Sequence, residues 1–475
     1  MHLVNLSRRS WCSVTVSHPT GNPLFVEELT KAVLEAGILV EQPGLRNNLF
    51  HHFCGQHAAA CHLSAQETSR VFSHARNLLS DTGTLQEQMT ILWGTYLAHS
   101  MRAEHSAALE VARQFLVLGA DHDHAGVSAL ANRFMGQTLH FMGAFVGARV
   151  HLERALALCA NNPEATATYR RFGVDDQVNT LSFLASTLLF LGYPEQSAAT
   201  AENAETRARA MGRAYTTAMG FTSIAILGTV GGDPRRALSR VDEAIALSVE
   251  NEFASLNRRA RFFRGSLMAQ AGDLEAGIDV MQSAIAAAES NSERNRRTLY
   301  LGHIASAYAD LGQPEVGLEL LDEAVQLAEA TSERFSEAEL YRLRGTIQLS
   351  LNKESEAEAD LRRALTIARQ QEACWWELRA ATTLARHWHD EGRSLEAMSL
   401  LQPIYGWFVE GFDTPDLKDA KTLLDQMRLA LGIQAASGVS LDNACLKRAP
   451  ALQDWPQPVS GRTSARRPNA TKRES

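Results

Sequence analysis

Apolar residues recur along most of the chain at the three- and four-residue spacing that marks one face of a helix. The helical segments come in pairs, and glycine or proline often separates the two members. In the clearest pair, large residues stand at Tyr341 and Leu361, and small residues stand at Gly345, Ala357 and Ala364. Two antiparallel helices approach closely only where the side chains at their crossing are small, while large side chains fill the space on either side. The pattern therefore predicts a helical hairpin.

The small positions of this hairpin recur every 40 residues. Across six units, the positions of Gly345, Ala357 and Ala364 hold glycine, alanine or serine at 17 of 18 sites. The series that contains Ala357 is Ser197, Ala237, Gly277, Gly317, Ala357 and Ala397. Earlier small residues fit the same spacing once a loop is inserted at residues 168–177. We therefore expect an all-α fold, a tetratricopeptide-like α-solenoid of about eight helical hairpins.

The pattern changes towards both ends of the chain. Thr414 and Pro415 are a typical N-cap and first helical residue, and they predict a helix to about Leu431 that caps the solenoid. Beyond this helix the periodicity is lost and serine, proline and basic residues accumulate, which predicts a disordered basic tail. We expect a poorly defined helical connector in residues 1–80, the repeat solenoid in 81–411, the capping helix in 412–432 and the tail in 433–475.

Charge, hydropathy and cysteine content narrow the possible functions. The formal net charge is −8, so the sequence gives no overall electrostatic reason to expect nucleic acid or an anionic membrane as a partner. The longest apolar stretch, residues 181–193, is shorter than the roughly 18 residues of a membrane span and predicts a buried helix. The six cysteines form no CxxC pair, which indicates reduced thiols in a cytoplasmic protein.

Several stretches resemble the C-terminal part of large bacterial signalling proteins. In that family a class III adenylate or guanylate cyclase domain is followed by an AAA-like ATPase and then by tetratricopeptide repeats. The stretches that carry the resemblance are residues 21–39, 169–197, 333–345 and 377–424. The resemblance extends over roughly residues 92–431 and implies a repeat region with a role in signalling.

The resemblance also indicates which catalytic features of the family this sequence has and which it lacks. Residues 21–39 resemble the end of the ATPase, and Gly21, Asn22 and Pro23 match its turn near the nucleotide. However, a phosphate-binding loop GxxxxGK[ST] occurs nowhere in the sequence, and no metal-binding aspartates of a cyclase can be placed. We therefore expect a descendant without either catalytic domain, no enzymatic activity and no cofactor.

Four groups of residues invite a chemical interpretation. His57 and Cys61 stand four residues apart in a stretch rich in histidine and cysteine, a weak candidate for a metal site beside the alternative of no coordination. Residues 121–124 alternate aspartate and histidine between two predicted helices, and we interpret them as a polar loop. Asp175 and Asp176 in the insert are interpreted in the same way, with a binding role as the alternative. Trp375 and Trp376 are expected to pack against the preceding repeat.

A solenoid of this kind commonly binds an extended peptide or a partner helix on the concave surface lined by the first helix of each hairpin. Arginine recurs at the positions predicted to face that surface, and a guanidinium can donate two parallel hydrogen bonds to a carboxylate. We therefore predict a protein or peptide partner, possibly acidic, with a solvated helix face as the alternative. The predicted partner-binding residues are Asn179, Arg259, Phe262, Glu339, Arg342, Arg379 and Arg386.

Three hypotheses for the function follow. The favoured one is a non-catalytic interaction or sensory module of a bacterial signalling system. The second is a cyclase-related subunit that is active only with a separate catalytic chain. The third is the sensor part of a transcriptional regulator, although no helix-turn-helix reader stands apart from the repeats. The basic groups at residues 258–261 and 294–297 are interpreted as solvated helix starts.

Overall fold

A computed structural model describes residues 84–160, 162–163, 165–166, 176–231 and 234–432. Seventeen helices and no strand are found in these ranges. The helices are α1 Leu85–Met101, α2 His105–Asp121, α3 Ala125–Phe141, α4 Phe145–Ala160, α5 Asp176–Phe190, α6 Pro194–Met211, α7 Ala214–Val230, α8 Pro234–Glu250, α9 Ala254–Gln270, α10 Leu274–Glu289, α11 Arg297–Asp310, α12 Pro314–Thr331, α13 Glu337–Ser350, α14 Glu354–Gln370, α15 Cys374–Asp390, α16 Ser394–Tyr405 and α17 Pro415–Ala430.

The first sixteen helices form eight antiparallel hairpins, from α1 with α2 to α15 with α16, and each hairpin packs on the next. Helix α17 packs on the last hairpin and begins with Thr414 as N-cap and Pro415 at its first turn. The predicted all-α solenoid of about eight hairpins is confirmed. The predictions for residues 1–80 and 433–475 lie outside the described residues.

The small residues of the repeat lie where the two helices of a hairpin cross. A Cβ atom added at Gly345 would lie 2.8 Å from Leu361 Cγ and 3.1 Å from the Ala357 carbonyl oxygen. A Cβ atom at Gly265 would lie 2.7 Å from the carbonyl oxygen of Gly277. Real Cβ atoms do not approach backbone this closely, so the crossing requires small residues, as the 40-residue pattern predicted.

Hairpins far apart in the chain also contact each other. The carbonyl oxygen of Met101, at the end of α1, accepts hydrogen bonds from the backbone N–H groups of Arg294 (2.8 Å) and Asn295 (3.2 Å). One repeat later, the Phe141 carbonyl oxygen accepts from Arg334 at 2.8 Å and Phe335 at 3.1 Å. The solenoid therefore winds so tightly that the segment before α11 returns to α1. We call α1 to α10 the first turn and α11 to α17 the second turn.

Tryptophan side chains contribute to the contact between the two turns. Trp375 and Trp376 on α15 are both almost completely buried. Trp375 Nε1 donates to the carbonyl oxygen of Val230, 145 residues away in the first turn, at 3.3 Å. Trp376 Nε1 donates to the Phe335 carbonyl oxygen at 3.0 Å. The expectation of packing is therefore confirmed, but Trp375 packs against the neighbouring turn as well as against its own repeats.

The insert and the apolar stretch can be compared with their predictions only in part. Residues 167–175 lie outside the described residues, and with them Asp175. Asp176 was predicted to lie in the loop, but it is buried in the first turn of α5. Most of the apolar stretch that begins at residue 181 lies in α5 and is buried there. Among the described helices, none has the length and apolar character that crossing a membrane requires.

Candidate functional site

Four of the predicted partner-binding residues come together in the second turn. Glu339 and Arg342 on α13 and Arg379 and Arg386 on α15 face one groove, which α11 and α17 also border. Its two parts have volumes of about 290 Å³ and 510 Å³ and share Arg342, Arg379 and Asp416. We call this surface the second-turn groove. It arises because successive repeats place the same face of their first helix side by side.

The arginines of the second-turn groove are paired with carboxylates of the chain itself. Arg342 Nη2 and Nε donate to the two carboxylate oxygens of Glu339 at 2.7 Å and 2.8 Å. Arg379 lies 3.0 Å from Glu339 and 3.7 Å from Asp416, and it also donates to the Val230 carbonyl oxygen at 3.0 Å. Positive and negative charge are therefore balanced in the deeper part of the groove.

The pair of Arg386 and Asp419 lies at the open side of the groove. Arg386 Nη2 lies 2.7 Å and 2.8 Å from the two oxygens of Asp419. The arginine side chain is 44% exposed and the aspartate side chain 55%. Exposed ion pairs contribute little to stability, so a bound partner could replace Asp419 at low energetic cost.

Burial and charge shift the pKa values of three groups in the second-turn groove. Burial would raise the pKa of Glu339, but the charges of Arg342 and Arg379 together lower it below its usual range. Burial raises the pKa of Asp416, although Arg379 opposes the shift. Burial lowers the pKa of His303 to about 4. His303 Nδ1 lies 3.1 Å from Ser266 Oγ, while its Nε2 has no hydrogen-bond partner.

The remaining three predicted residues lie elsewhere. Asn179 and Arg259 line a separate cavity in the first turn. Phe262 is only 1% exposed, and its ring stacks on Tyr300 with 3.9 Å between the ring centroids. The prediction that Phe262 faces a partner is therefore wrong. The position faces the next hairpin instead, where an aromatic ring fills the space between α9 and α11.

The cavity in the first turn is lined by α1, α3, α5, α7 and α9 and is bordered on one side by the segment before α11. Its volume is about 140 Å³. We call it the first-turn cavity. Arg133, Arg259 and Arg296 line it, whereas Asp176 is its single acidic residue among those the structure describes. Positive charge is therefore in excess here.

Two of these arginines were not predicted as site residues. Arg133 occupies the same position in an early repeat as Arg342 does in its own repeat. Extending the predicted positions towards the N-terminus would therefore have identified Arg133. Arg296 precedes α11 and belongs to no repeated position, and it was interpreted as part of a solvated helix start. It is in fact 8% exposed, so that interpretation is wrong. The return of this segment to α1 explains the burial.

The other candidates from the sequence do not form a site in the described residues. Residues 121–124 connect α2 to α3, and His124 Nδ1 accepts hydrogen bonds from the N–H groups of Gly126 and Val127, as a polar capping loop. His57, Cys61 and the turn Gly21, Asn22 and Pro23 lie outside the described residues. Where the structure describes the chain, no cluster of three potential metal ligands occurs.

Comparisons with known proteins agree with this architecture. Residues 295–370 match the tetratricopeptide repeat family model. These residues span α11 to α14, which border the second-turn groove. No curated protein matches the sequence.

The chain is also similar to solved structures at low sequence identity. A Rap protein in complex with competence and sporulation factor is 14% identical, with 64% of this chain and 80% of that chain aligned and a TM-score of 0.49. A human IFIT1 dimer with PPP-AAAA is 15% identical, with 86% of this chain and 87% of that chain aligned and a TM-score of 0.42. The described chain is a tetratricopeptide-like α-solenoid, a fold suited to protein interaction.

Proposed function

We propose that this protein is a non-catalytic interaction module of a bacterial signalling system, and that its second-turn groove binds a segment of a partner protein. The observation that carries the proposal is the convergence of Glu339, Arg342, Arg379 and Arg386 on one open groove. These residues come from two successive repeats, so a segment lying across them would contact both. The signalling context rests on the resemblance of the sequence to the repeat region of cyclase–ATPase proteins. The proposed cytoplasmic location rests on the six cysteines, which form no CxxC pair.

The partner segment is proposed to carry an acidic side chain opposite Arg386. Arg342 and Arg379 are held by the buried carboxylates around them and serve to shape the groove. Arg386 is different because its carboxylate partner, Asp419, is itself exposed. A partner carboxylate can replace Asp419 and form the same pair of hydrogen bonds with the guanidinium group.

Selection of peptides from a displayed random library on the full chain tests this proposal. We expect the selected peptides to be enriched in aspartate and glutamate. Arg386→Glu should weaken their binding about tenfold, which corresponds to the loss of roughly 1.4 kcal/mol. Peptides that bind wild-type protein and Arg386→Glu equally would contradict the proposal, as would a selection that yields no binding peptide.

Two exchanged pairs serve as controls. Arg386→Glu with Asp419→Arg restores an ion pair in the groove with the charges reversed, so binding should remain weak although the local pair is rebuilt. Lys421→Asp with Asp425→Lys reverses an exposed pair on α17 outside the groove, and binding should equal that of the wild type. If the first exchange restored binding, the pair would act only by holding the fold.

The proposed absence of catalysis has its own test. Purified full-length protein should form no cyclic nucleotide from ATP or GTP and should not hydrolyse ATP. Turnover that increases in proportion to the protein concentration, and that persists through a second purification step, would favour the cyclase-related subunit instead. Neither result would affect the peptide-binding test, because that test measures binding alone.

A further inference from the structure

Among the described residues that line the first-turn cavity, positively charged side chains outnumber carboxylates. Arg133 and Arg296 are 4% and 8% exposed, and Arg259 is half-buried beside them. Arg133 Nη2 lies 3.2 Å from Asp176 Oδ1. In the described part of the chain, Arg259 and Arg296 form no ion pair with a carboxylate. Three guanidinium groups therefore line the cavity with one carboxylate, Asp176, while the buried carboxylate of Glu333 accepts a hydrogen bond from the backbone N–H of Arg296.

Some buried polar atoms of the residues that line the cavity also lack hydrogen-bond partners. Nε and Nη1 of Arg133 are buried and have no hydrogen-bond partner. Gln137, four residues further along α3, donates to Ser100 Oγ at 3.2 Å, while its own carbonyl oxygen has no partner. Burying a charged group without a full set of partners costs free energy, so such groups are rare unless something else satisfies them.

The environment of Arg296 shows the same imbalance. Burial, and then the charge of Arg259, lower the pKa of Arg296 to about 9, although the charge of Glu333 opposes the shift. The guanidinium lies over the rings of Phe141 and Phe183, 4.9 Å and 5.7 Å from their centroids. These rings attract a cation but do not supply hydrogen-bond acceptors. An anion close to Arg259 and Arg296 would relieve the repulsion between them.

The size and enclosure of the cavity restrict the ligand. A volume of about 140 Å³ is smaller than the roughly 300–1,000 Å³ of typical drug-sized sites. The hydrogen bonds from Arg294 and Asn295 to Met101 close one side. Serine and asparagine side chains on α5 and apolar side chains such as Trp93 and Ile226 complete the lining. Such a space fits a small molecule better than a peptide that must pass through.

We propose that the first-turn cavity binds a small organic anion through its carboxylate or phosphate group, with Arg133, Arg259 and Arg296 as the anion-binding residues. The planar guanidinium group pairs with the oxygens of either group through two parallel hydrogen bonds. This site is separate from the second-turn groove, so the proposal does not depend on the partner proposed above. A small metabolite bound in this cavity would contact a solenoid that we also propose to bind a partner.

Thermal unfolding and titration calorimetry on the full chain test the site with defined probes. The probes are inorganic phosphate, glycerol 3-phosphate and a panel of short mono- and dicarboxylates, each compared with chloride at equal ionic strength. We expect at least one probe to raise the unfolding temperature with a saturable dependence on concentration. The panel also distinguishes the two groups, because a phosphate ligand favours the phosphate esters and a carboxylate ligand favours the organic acids.

Arg259→Gln and Arg261→Gln form the matched pair of variants. Both remove one positive charge from α9, but Arg261 is exposed outside the cavity and contacts Asn257. Arg259→Gln should weaken binding at least tenfold and Arg261→Gln less than twofold. Arg259→Lys keeps the charge without the planar fork, and we expect intermediate affinity.

Three results would overturn the proposal. The first is that no probe raises the unfolding temperature beyond the effect of chloride. The second is that Arg259→Gln and Arg261→Gln bind the best probe equally, which would place the anion elsewhere. The third is that acidic peptides bind in the first-turn cavity while none of the small anions does. Circular dichroism of each variant at matched concentration shows whether it is folded, so a loss of binding is not confused with unfolding.

Discussion

The two turns of the solenoid place arginines at equivalent repeat positions, but they neutralise them differently. In the second-turn groove, Arg342 and Arg379 share Glu339, and Asp416 adds a second carboxylate. In the first-turn cavity, Asp176 is the single acidic residue for three arginines among the described residues. The same helical framework therefore supports a charge-balanced groove and a cavity with an excess of positive charge among its described lining residues.

The difference shows that a repeat pattern fixes the position of a side chain but not its electrostatic state. The carboxylates of Asp416 and Asp419 lie on α17, which is not part of the repeat and packs mainly on α15 and α16 at the end of the second turn. The corresponding side of the first turn is closed by the segment at residues 294–296, which brings the guanidinium of Arg296. Elements from outside the repeat thus add to the charge of each site, beside Glu339 and Asp176 on the repeat helices.

Removing one arginine from each turn should give the largest contrast. Arg379→Met leaves the buried Glu339 and the half-buried Asp416 with less positive charge, and we expect a loss of about 3 kcal/mol in the free energy of unfolding. Arg296→Met removes a buried cation that has no carboxylate partner, and the change should be smaller than about 1 kcal/mol. Urea unfolding followed by circular dichroism measures both. Equal losses would mean that Arg296 is neutralised as well as Arg379 is.

Acid should destabilise the second turn through His303. Its pKa is about 4 in the folded chain, below the ordinary value of 6.5, so the unfolded chain binds more protons between these pH values. The free energy of unfolding therefore falls as the pH falls from 6.5 to 4, by up to about 3 kcal/mol from this group. His303→Gln should lose less stability over that range. The variant His122→Gln, an exposed histidine outside both regions, serves as the control, and an identical acid profile for His303→Gln would contradict the assignment.

Packing should be alike in both turns even though charge is not. A Cβ atom at Gly136 would lie 2.5 Å from Leu152 Cγ, and one at Gly345 would lie 2.8 Å from Leu361 Cγ. Gly136→Val and Gly345→Val should each lower the free energy of unfolding by about 1–3 kcal/mol. In Gly147→Ala the new methyl group meets nothing closer than 3.4 Å, so helix propensity should raise stability by up to about 1 kcal/mol. Chemical denaturation of the three variants compares them, and an unchanged Gly136→Val would break the equivalence.

The smallest effect is expected at the exposed end of the second-turn groove. Arg386→Gln breaks the pair with Asp419, and the free energy of unfolding should fall by less than about 1 kcal/mol because both side chains are well exposed. The loss should shrink further at high salt, where exposed charges are screened. A loss as large as that of Arg379→Met would show that the open end of the groove also supports the fold.

The sequence by itself determined the repeat and the residues that its packing requires. Gly345 and Ala357 lie at a helix crossing because only small residues fit there. That requirement makes small residues recur every 40 residues in the sequence. Glu339, Arg342, Arg379 and Arg386 could be assigned to one surface because equivalent positions of stacked repeats face the same way. Local periodicity is sufficient for such predictions, since each repeat contacts its neighbours in the same manner.

Only the tertiary structure decided which of these side chains are free to bind. Phe262 lies in the core because of the distance between neighbouring hairpins, and Arg296 is buried because the second turn returns onto the first. Both depend on the sum of many small rotations between repeats. The local sequence pattern of a repeat does not predict that sum. The hydrogen bonds from residues 294–295 to Met101 and from Trp375 to Val230 join segments that share no spacing in the sequence. The arginine-lined cavity of the first turn is a product of that winding.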